Sequence, residues 1–489
     1  MQKLFRSFER ARRQNAVTFT PLKSATQLRS FASVVSGKYG QPLHETHPHM
    51  LQPGELTPGI SAQEYHLRRA KLAKSLPKGG VAVLPSADIK TRSGAVFYEF
   101  HQQPDFFYLT GFNEPEALAV ISREESELGY KFHLFVRPKN ESAEIWDGAR
   151  SGVEAAEEVF NADEAHDINR AAHILPDLLK GQIVFSDAMN AAKRPSAFAR
   201  LMRSATSDAE ESLKQLLKAE EVKSLRPVLN KLRLVKSEAE ILNMRKAGRL
   251  SGQTYSEAMK HRYSTEKELW TDMAYGFKKR GLDGEAYIPV VAGGTNGLSI
   301  HYVRNDDRLS DGQLVLVDAG GEYGGYITDI TRTWPVNGKF TPAQKDLYQM
   351  VLNVQRSLVS LCREDANTSL DKLHRIAETG LKDGLRQLGF DTAASNMDVL
   401  FPHHVGHYVG LDVHDAPGYP RNEHLQEGHC ITMEPGVYVP DDERWPEHFR
   451  GMAIRIEDSI CVTKEHPFVL TTEAVKEVDD IEALRSLRS

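Results

Sequence analysis

The stretch LVLVDAGGEYGGYITDITRTWP, residues 314–335, contains two aspartates, each inside a run of apolar residues with a β-strand pattern. Asp318 follows LVLV, and Asp329 lies eleven residues later. An odd offset would put the two carboxylates on opposite faces of one unbroken strand, since side chains alternate along a strand. Glycine pairs at 320–321 and 324–325 mark turns, which allow two adjacent strands to direct both aspartates inward. The stretch therefore predicts a hairpin-like segment that brings two acids together.

Two further acids lie within apolar strand patterns downstream. Glu434 follows CITM, and Glu457 lies in MAIRIEDSICV. Buried carboxylates cost several kcal/mol each unless they are paired or bind a metal. Upstream of both, the stretch HHVGHYVGLDVHD, residues 403–415, holds four histidines. One of these histidines and the four acids would form an oxygen-rich set with a charge of −4, which balances two divalent cations.

This donor set predicts hard divalent cations rather than structural zinc, which prefers cysteine and histidine. Mostly carboxylate ligands with one imidazole favour Mn²⁺, and also suit Mg²⁺ or Co²⁺. Shared carboxylates would hold two ions about 3.5–4 Å apart, the spacing of two-metal hydrolytic sites. The alternative is a set of separate acids in ordinary salt bridges, because residues distant in sequence need not converge in space.

Length and composition limit the classes of protein to consider. The chain has 489 residues, too many for one ordinary core, so two domains with extensions are expected. A net charge of −6 implies no broad basic surface for nucleic acid. No stretch approaches the roughly 18 consecutive apolar residues that a membrane span requires. The three cysteines show no CxxC spacing, which favours a reducing compartment over a disulfide-built secreted protein.

Residues 1–40 differ from the rest of the chain, with eight Lys or Arg and one acid. On a helix, Leu4, Phe5 and Phe8 would share one face, with arginines opposite. An amphipathic, Arg-rich and acid-poor segment is typical of a mitochondrial transit peptide, here followed by a flexible leader; a disordered basic tail is the alternative. We therefore predict a mitochondrial location, in the matrix or on its matrix side.

The pattern beyond the leader predicts two domains. Residues 41–60 contain four prolines and are interpreted as a lead-in. Alternating strands and helices over 61–228 predict an α/β domain, and 229–489 mixes helices with hairpin-like segments. The predicted elements of the first domain are a helix that Ser61 caps together with Glu64, strands at 80–85, 105–112, 117–122 and 131–136, and a helix followed by a strand within 171–187.

Taken together, the acids and histidines resemble those of the pita-bread metallopeptidases, which include aminopeptidase P, prolidase and methionine aminopeptidase. The family's ordered ligands match Asp318, Asp329, His407, Glu434 and Glu457, each within a similar local sequence. The resemblance is greater to aminopeptidase P and its mitochondrial branch. It covers nearly the whole chain beyond residue 60, including DFFYLTGFNEPEA and TRTWPVNGKFTPAQ. It implies a creatinase-N-like N-terminal α/β domain with a mixed sheet and helices, followed by a C-terminal pita-bread α+β catalytic domain.

The resemblance also implies a role for each ligand. Asp329 and Glu457 would bridge two metal ions. Asp318 would bind one ion, and His407 with Glu434 would bind the other. A hydroxide between the cations would attack the first peptide bond. Glu434 would also be catalytic, carrying a proton from the nucleophile towards the leaving amine.

Four further residues match positions that the family places around the substrate. His301 and His414 would be catalytic and substrate-binding, because they would orient the peptide carbonyl and stabilise the developing oxyanion. Tyr438 and Arg455 would hold ligands in place on the substrate side of the site. These assignments follow from the local sequences SIHYV, DVHDA, GVYVP and AIRIE.

Two residue assignments have an alternative interpretation. The family has a small or polar residue after the first histidine of its motif, where this chain has His404. His403 precedes His407 by four residues, as in the family, so we assign His403 to substrate binding. The segment around them is expected to form a strand or hairpin. Trp146 matches a residue that in aminopeptidase P can reach a neighbouring subunit's site, and an ordinary core tryptophan is an equal alternative.

The resemblance implies a dinuclear-metal aminopeptidase that removes one N-terminal residue from peptide or protein N-termini. Its substrates would be Xaa-Pro peptides, mitochondrial precursor intermediates that expose a bulky residue after presequence cleavage, or both. A homo-oligomer is expected, with a dimer favoured. Two alternatives stay open, a prolidase-like dipeptidase confined to Xaa-Pro dipeptides and a non-catalytic binding protein on the same fold. The intact ligand set disfavours the second alternative.

Overall fold

The computed structural model describes residues 39–126, 129–188 and 222–486. The predicted transit peptide and leader therefore lie outside the described residues, apart from their last two positions. Among the helices described, none has the length and apolar character to cross a membrane. All three cysteines are buried and free.

The N-terminal part contains a mixed β-sheet with helices packed on it. Its elements are β1 (Glu55–Thr57), β2 (Ile60–Ser61), α1 (Ala62–Ser75), β3 (Gly80–Pro85), β4 (Thr91–Ser93), β5 (Val96–Phe97), α2 (Pro104–Thr110), β6 (Leu118–Arg123), β7 (Tyr130–Val136), α3 (Glu141–Asp147), α4 (Gly152–Glu158), β8 (Glu164–Asp167), α5 (Ala171–Leu179) and β9 (Ile183–Phe185). The main sheet has the order β8-β7-β6-β3-β9. The β7–β8 and β3–β9 pairs are parallel and the other pairs antiparallel, which confirms the predicted mixed sheet.

Helices cover both faces of this sheet because its strands are apolar on both sides. Val81 and Val83 pack in one cluster with Leu175 of α5. Ala82, on the opposite face, packs in another cluster with Leu72 of α1. The sheet is therefore a buried layer between helices, as expected for an α/β domain.

Residues 105–112, predicted as a strand, form helix α2 instead. Pro104 opens the helix, and the Gln103 side chain accepts a hydrogen bond of 2.6 Å from the Phe106 backbone N–H. Gly111 ends the helix with φ of 65°. The prediction is wrong because a short apolar run fits either element, and the proline and glycine at its ends decide for a helix. The other strands and the helix–strand pair predicted for this part are confirmed.

The C-terminal part combines several small sheets with long helices. Its elements are α6 (Arg226–Leu234), α7 (Glu238–Ala258), α8 (Glu266–Lys279), β10 (Gly284–Glu285), β11 (Val290–Gly293), β12 (Leu314–Asp318), β13 (Gly321–Tyr323), β14 (Tyr326–Ile327), β15 (Thr331–Pro335), α9 (Pro342–Ser360), α10 (Leu370–Gln387), α11 (Ala394–Leu400), β16 (Cys430–Met433), β17 (Gly436–Tyr438), β18 (Ala453–Arg455), β19 (Asp458–Cys461), β20 (Phe468–Val469) and α12 (Val478–Ser486). The sheets have the orders β10-β13-β14, β11-β12-β15, β16-β19-β20 and β17-β18. Antiparallel pairs mixed with helices are an α+β arrangement.

Ser61 caps α1 as predicted, but Glu64 does not complete a capping box. The Glu64 backbone N–H donates to the Ser61 side chain at 3.2 Å. The Glu64 carboxylate instead accepts hydrogen bonds of 2.6 Å from Arg68 and from the hydroxyl of Ser237, the residue that caps α7. The acid therefore connects the N-terminal part to the C-terminal part.

The joint between the two parts is fixed by buried charges. Arg233 of α6 donates to Asp105 at 2.6 Å, to Asp412 at 2.7 Å and to Asp415 at 2.5 Å. Lys236 donates to the other oxygen of Asp415 at 2.6 Å. We call these five residues the joint cluster. Helix α6 spans the predicted domain boundary near residue 228, and the boundary itself stays a prediction.

Candidate metal centre

Asp318 and Asp329 lie side by side at the ends of two paired strands. Asp318 ends β12, and its register partner in β15 is Thr331. Asp329 precedes that partner by two residues, so it lies on the same side of the strand pair. The Tyr287 hydroxyl lies 2.6 Å from Asp318 Oδ1 and 2.5 Å from Asp329 Oδ1. The hairpin of β13 and β14 between them, which turns at two glycines, confirms the predicted geometry.

Glu434 and Glu457 occupy facing positions in the other strand pairs. Glu434 lies between β16 and β17, and Glu457 lies between β18 and β19. Since β16 pairs with β19 and β17 with β18, both glutamates lie where the ladders are interrupted. Thr331 Oγ1 donates to Glu457 Oε2 at 2.6 Å. Glu457 therefore adjoins the strand that faces Asp318.

Residues 403–415 form an irregular segment, so the expected strand or hairpin is wrong. An isolated bridge at Tyr408 ties the segment to β16. The segment passes so close to β16 that a Cβ on Gly406 would lie 2.2 Å from the Thr432 carbonyl oxygen. The interleaved apolar residues are buried, as expected, except Val413, which is half-buried. Glycines and close backbone contact, rather than strand alternation, therefore set the direction of each histidine.

His407 is the histidine of this segment that faces the acids. Its Nε2 lies 3.5 Å from Asp329 Oδ2 and 3.5 Å from Glu434 Oε1. Its Nδ1 donates to the Tyr408 carbonyl at 3.0 Å, which leaves Nε2 directed at the carboxylates. Donor atoms of Asp329, His407 and Glu457 all lie within 4.8 Å of one another. This group has the separations that a metal ion requires.

The neighbouring histidines His403 and His404 point to different surroundings. His403 Nε2 lies 2.9 Å from the Tyr438 hydroxyl, and its Nδ1 lies 3.8 Å from Glu434. His404 stacks on His374, with ring centroids 4.5 Å apart. The placement of His403 beside a predicted ligand supports its assignment to the substrate side, which stays a prediction.

The remaining predicted site residues divide into two groups. The His414 ring meets the His407 ring edge-on at 4.3 Å. Burial lowers the pKa of His414, and the charge of His407 lowers it further. His301 is exposed. In contrast, Trp146 lies on α3 of the N-terminal part with 86% of its surface exposed. The core interpretation of this tryptophan is therefore wrong.

Arg455 links the carboxylates to Tyr438. Its guanidinium donates to Asp318 Oδ2 at 2.6 Å, to the Tyr438 hydroxyl at 2.6 Å and to Thr331 Oγ1 at 3.0 Å. Arg455 is 1% exposed, so its charge acts in a poorly solvated environment. It fixes the orientation of one aspartate and of the tyrosine that contacts His403.

Burial and mutual repulsion make this cluster unfavourable for negative charge. Burial, and then the charge of Asp329, raise the pKa of Glu457 well above its ordinary value. Burial also raises the pKa of Asp318, and it raises the pKa of Glu434 to about 7. Burial alone would lower the pKa of His407, but Asp329 and Glu434 raise it to about 9. The cluster therefore has too few positively charged side chains to neutralise all of its carboxylates.

The donor set fits hard divalent cations. Arg455 is paired with Asp318, whereas nearby Arg332 donates instead to Asp458 at 2.7 Å. One guanidinium therefore serves four carboxylates, and the imidazole of His407 directs its Nε2 at two of them. Oxygen-rich donors with one nitrogen are those that Mn²⁺ and related ions prefer. The excess of negative charge and the types of donor both suit divalent metal ions.

Tyr287 is a residue of the site that the sequence analysis missed. It lies three residues before Val290, which is the register partner of Asp318 in the β11–β12 pair. A register argument from the apolar run VVAGG could have placed a residue just beyond β11 next to Asp318. Without knowledge of which strands pair, the tyrosine carried no recognisable signal.

Replacing Tyr287 with phenylalanine is expected to lower kcat/KM by about 10–100-fold, the usual cost of losing a group that orients metal ligands. The hydroxyl bonds to both aspartates, so its loss should also raise the metal concentration needed for half-maximal activity. Peptide release at saturating and at limiting metal measures both effects. Tyr275→Phe, on an exposed tyrosine, is the control. Equal metal dependence of Y287F and the parent protein would contradict this role.

Comparison with known protein families assigns both parts of the chain. Residues 65–185 match the N-terminal domain of aminopeptidase P, and residues 242–464 match metallopeptidase family M24. Intermediate cleaving peptidase 55 of Saccharomyces cerevisiae is 44% identical over 91% of this chain and 88% of its own length. The chain belongs to metallopeptidase family M24.

Other members of the family are similar over comparable lengths. Xaa-Pro aminopeptidase 3 of Homo sapiens is 39% identical over 92% of this chain and 91% of its own length. The crystal structure of yeast Icp55 superposes with a TM-score of 0.81 at 42% identity, covering 88% of this chain and 99% of that one. Aminopeptidase P from E. coli, with the inhibitor Pro-Leu, gives 0.78 at 35% identity, covering 88% and 99%.

Family membership confirms several of the expectations from sequence. The fold is an aminopeptidase P N-terminal domain followed by a pita-bread catalytic domain. This chain is a metalloaminopeptidase, which is a hydrolase that depends on metal ions. The resemblance to aminopeptidase P and its mitochondrial branch is confirmed by the relatives named above. The identity of the metal and the role of each residue are separate questions.

Proposed function

We propose that this metalloaminopeptidase uses two divalent ions to hydrolyse the first peptide bond of its substrate and release one N-terminal residue. The observation that carries the proposal is that Asp329, His407 and Glu457 form one group of close donor atoms. Glu434 adjoins this group through His407, and Asp318 adjoins it through the Tyr287 hydroxyl shared with Asp329. Isolated salt bridges would not leave three raised carboxyl pKa values in one cluster. The proposed ligands are Asp318, Asp329, His407, Glu434 and Glu457.

The ligands divide by position within the cluster. Asp329 and Glu457, which share a group of close donor atoms with His407, would bridge the two ions. Asp318 would bind one ion, and His407 with Glu434 the other. When bound, the ions supply a water that is acidic enough to act as a nucleophile near neutral pH.

Glu434 is proposed to carry the proton from the nucleophile to the leaving amine. Burial raises the pKa of this carboxyl to about 7 in the absence of cations, which supports a role in taking up and releasing a proton. Its carboxylate faces His407 Nε2 on one side and His403 on the other. Glu434 thus lies between the proposed metal site and the proposed substrate side, which is where a proton shuttle must lie.

The histidines beside the cluster are proposed to hold the substrate. His414 and His301 would donate hydrogen bonds to the peptide carbonyl, an effect worth about 2.7–4 kcal/mol for one oxyanion donor. Burial lowers the pKa of His403 to about 3, so this ring is neutral at physiological pH. With Tyr438 against its Nε2, His403 would contact the substrate through polar but uncharged groups.

Two substrate classes are proposed, because relatives of similar identity carry two kinds of name. Yeast and Schizosaccharomyces pombe relatives are named intermediate cleaving peptidases, and mammalian relatives are named Xaa-Pro aminopeptidases. A yeast Icp55 structure contains the inhibitor apstatin. We infer that the enzyme accepts Xaa-Pro peptides and also precursor intermediates that begin with a bulky residue.

Chelator-stripped enzyme is expected to be inactive and to regain activity with Mn²⁺ more strongly than with Mg²⁺, Co²⁺ or Zn²⁺. Mass spectrometry of peptides of two to ten residues, beginning with Xaa-Pro or with Phe-Ser, measures which residue is released. We expect single-residue release from the longer peptides of both series. Cleavage of Xaa-Pro dipeptides alone would instead assign a prolidase-like dipeptidase. Release that needs no metal would refute two-metal hydrolysis.

A mitochondrial location, on the matrix side, is proposed from the N-terminal sequence. The eight basic residues and one acid of residues 1–40 match the composition of a transit peptide. The relative from Arabidopsis thaliana is named "Intermediate cleaving peptidase 55, mitochondrial". This location would bring the enzyme to precursor intermediates as they are produced.

A second copy of the chain is the proposed partner at Trp146. The tryptophan is 86% exposed and its neighbour Ile145 is 82% exposed, which is unusual for large apolar side chains. Trp146→Ala is expected to weaken a dimer by at least about 30-fold, which corresponds to a loss of about 2 kcal/mol at a tryptophan hot spot. Sedimentation across a dilution series measures the change, with exposed Leu242→Ala as control. A parent protein that sediments as a monomer throughout would refute the dimer.

A further inference from the structure

A second group of metal-binding side chains lies on the N-terminal sheet. His133 belongs to β7, and Glu164 and His166 belong to the edge strand β8. The two strands are parallel, with His133 opposite Glu164 and Phe135 opposite His166. Residues that are opposite, or two apart, lie on the same face of a sheet. All three side chains therefore project from one face.

Their donor atoms lie at the separations of a tetrahedral metal site. His133 Nδ1 lies 3.3 Å from His166 Nε2 and 3.6 Å from Glu164 Oε2. His166 Nε2 lies 3.7 Å from the same oxygen. Tetrahedral zinc, with bonds of about 2.0–2.2 Å, places its ligand atoms about 3.3–3.5 Å apart. The three atoms thus outline one face of a ligand tetrahedron, and a water molecule would take the fourth position.

The charges around the three side chains leave these donor atoms available. Lys131 donates to Glu164 Oε1 at 2.6 Å, so it occupies the carboxylate oxygen that does not face the histidines. In the protein without metal, one ring N–H donates to the other ring across the 3.3 Å contact. A metal ion would take the place of that proton.

We propose that His133, Glu164 and His166 form a second metal site, which binds Zn²⁺ and is distinct from the catalytic pair of ions. Two imidazoles and one carboxylate suit zinc, whereas the catalytic cluster is mostly carboxylate. The bound ion would join edge strand β8 to β7, where the side chains of Glu164 and His166 otherwise keep some contact with solvent. The site would stabilise the N-terminal domain and take no part in peptide hydrolysis.

The test compares zinc content in the full-length enzyme and in single-residue variants. Each protein is stripped with chelator, equilibrated with Zn²⁺ alone, freed of excess metal, and analysed by atomic emission. We expect His166→Gln and Glu164→Gln each to hold one zinc ion fewer than the parent protein. Peptidase activity after reloading with Mn²⁺ should be unchanged in both variants. Zinc should raise the melting temperature of the parent protein more than that of either variant.

Matched controls separate site-specific binding from incidental effects. His173→Gln, on an exposed histidine of α5, should retain the full zinc content. Circular dichroism establishes that each variant is folded, and Glu164, which is half-exposed, provides a second variant should H166Q unfold. Anomalous diffraction at the zinc edge should show a peak between the three donor atoms. Equal zinc content in the parent protein, H166Q and E164Q, or no such peak, would overturn the proposal, and neither result depends on peptidase activity.

Discussion

Glu457→Gln is expected to lower kcat/KM by at least about 10³-fold and, at the same time, to raise the melting temperature of the metal-free enzyme. Removing one oxyanion donor lowers activity by up to about 10³-fold. We expect at least this loss for E457Q, because Glu457 is a proposed ligand of both ions. The gain in stability has a different origin. Glu457 is buried beside Asp329, and burial raises its pKa well above the ordinary value.

The sign of the stability effect follows from this raised pKa. A carboxyl that binds its proton more tightly in the folded state destabilises that state as the pH rises above the unfolded pKa, about 4.3. At neutral pH the metal-free protein therefore carries a penalty for Glu457 that glutamine removes. Cations would neutralise this carboxylate in the parent protein, and they would bind the parent more tightly than E457Q, which lacks one proposed ligand. The difference in melting temperature between E457Q and the parent should therefore reverse when metal is added.

Three measurements test this prediction together. Steady-state peptide release gives kcat/KM, atomic emission gives metal content, and calorimetry with and without chelator gives the two melting temperatures. Glu465→Gln, at an exposed glutamate, should change none of them. An E457Q enzyme that keeps both ions and near-normal activity would remove Glu457 from the ligand set. An E457Q protein less stable than the parent without metal would show that the carboxylate stabilises the fold.

Sequence could predict the metal cluster because its acids interrupt apolar runs. Each of the four acids lies in or beside a buried strand: Asp318, Asp329, Glu434 and Glu457. A buried carboxylate is unfavourable unless a positive group or a metal ion compensates its charge. The paired glycines between the aspartates then allowed two strands rather than one. Chain length and the pattern of predicted strands and helices likewise supported the two-domain organisation. These signals are local, and each can be recognised in the sequence without knowledge of the tertiary fold.

The features that sequence missed depend on contacts between distant segments. Tyr287 reaches both aspartates because β11 pairs with β12, a pairing that no local pattern specifies. The segment 403–415 has strand-like alternation but runs irregularly, because Gly406 allows close contact with β16. Helix α2 is decided by the proline and glycine at its ends. Local alternation predicts burial better than it predicts the type of element.

The exposure of Trp146 could not be predicted for a related reason. An isolated tryptophan in EIWDGAR fits a core and an exposed helix equally well, since helix α3 has no buried residue by which to set its orientation. The structure places the side chain in solvent. A helix without buried residues gives the local sequence no pattern from which the exposure of one side chain could be predicted.

Asp415→Asn is expected to destabilise the enzyme by about 3–5 kcal/mol, the usual cost of breaking a buried charge pair on one side. Asp415 is 1% exposed at its side chain and accepts from both Arg233 and Lys236. Burial opposes its charge, but these two cations dominate and lower its pKa. Asparagine would leave Lys236 buried without its counter-ion. The melting temperature should fall by about 3–5 °C, because the entropy of unfolding of a chain this long is large.

The same substitution should also reduce activity, because the joint cluster holds the histidine segment. Asp415 follows His414 directly, and its carboxylate fixes the end of the segment against α6 and the residues beyond it. A displaced His414 should lower kcat more than it raises KM, since its proposed contact strengthens in the transition state. The lowered pKa of Asp415 stabilises the fold above about pH 4, and this contribution is lost as the pH falls through the folded pKa.

Asp412→Asn provides the matched control, because Asp412 pairs with the same arginine but is 40% exposed at its side chain. Solvent screens that pair, so its loss should cost less than about 1 kcal/mol. Calorimetry and peptide release on both variants separate the two cases. Equal, small effects of D415N and D412N would mean that the buried charge pair stabilises the protein no more than the exposed one does. A large loss of stability with unchanged kcat would mean that the cluster joins the domains without positioning His414.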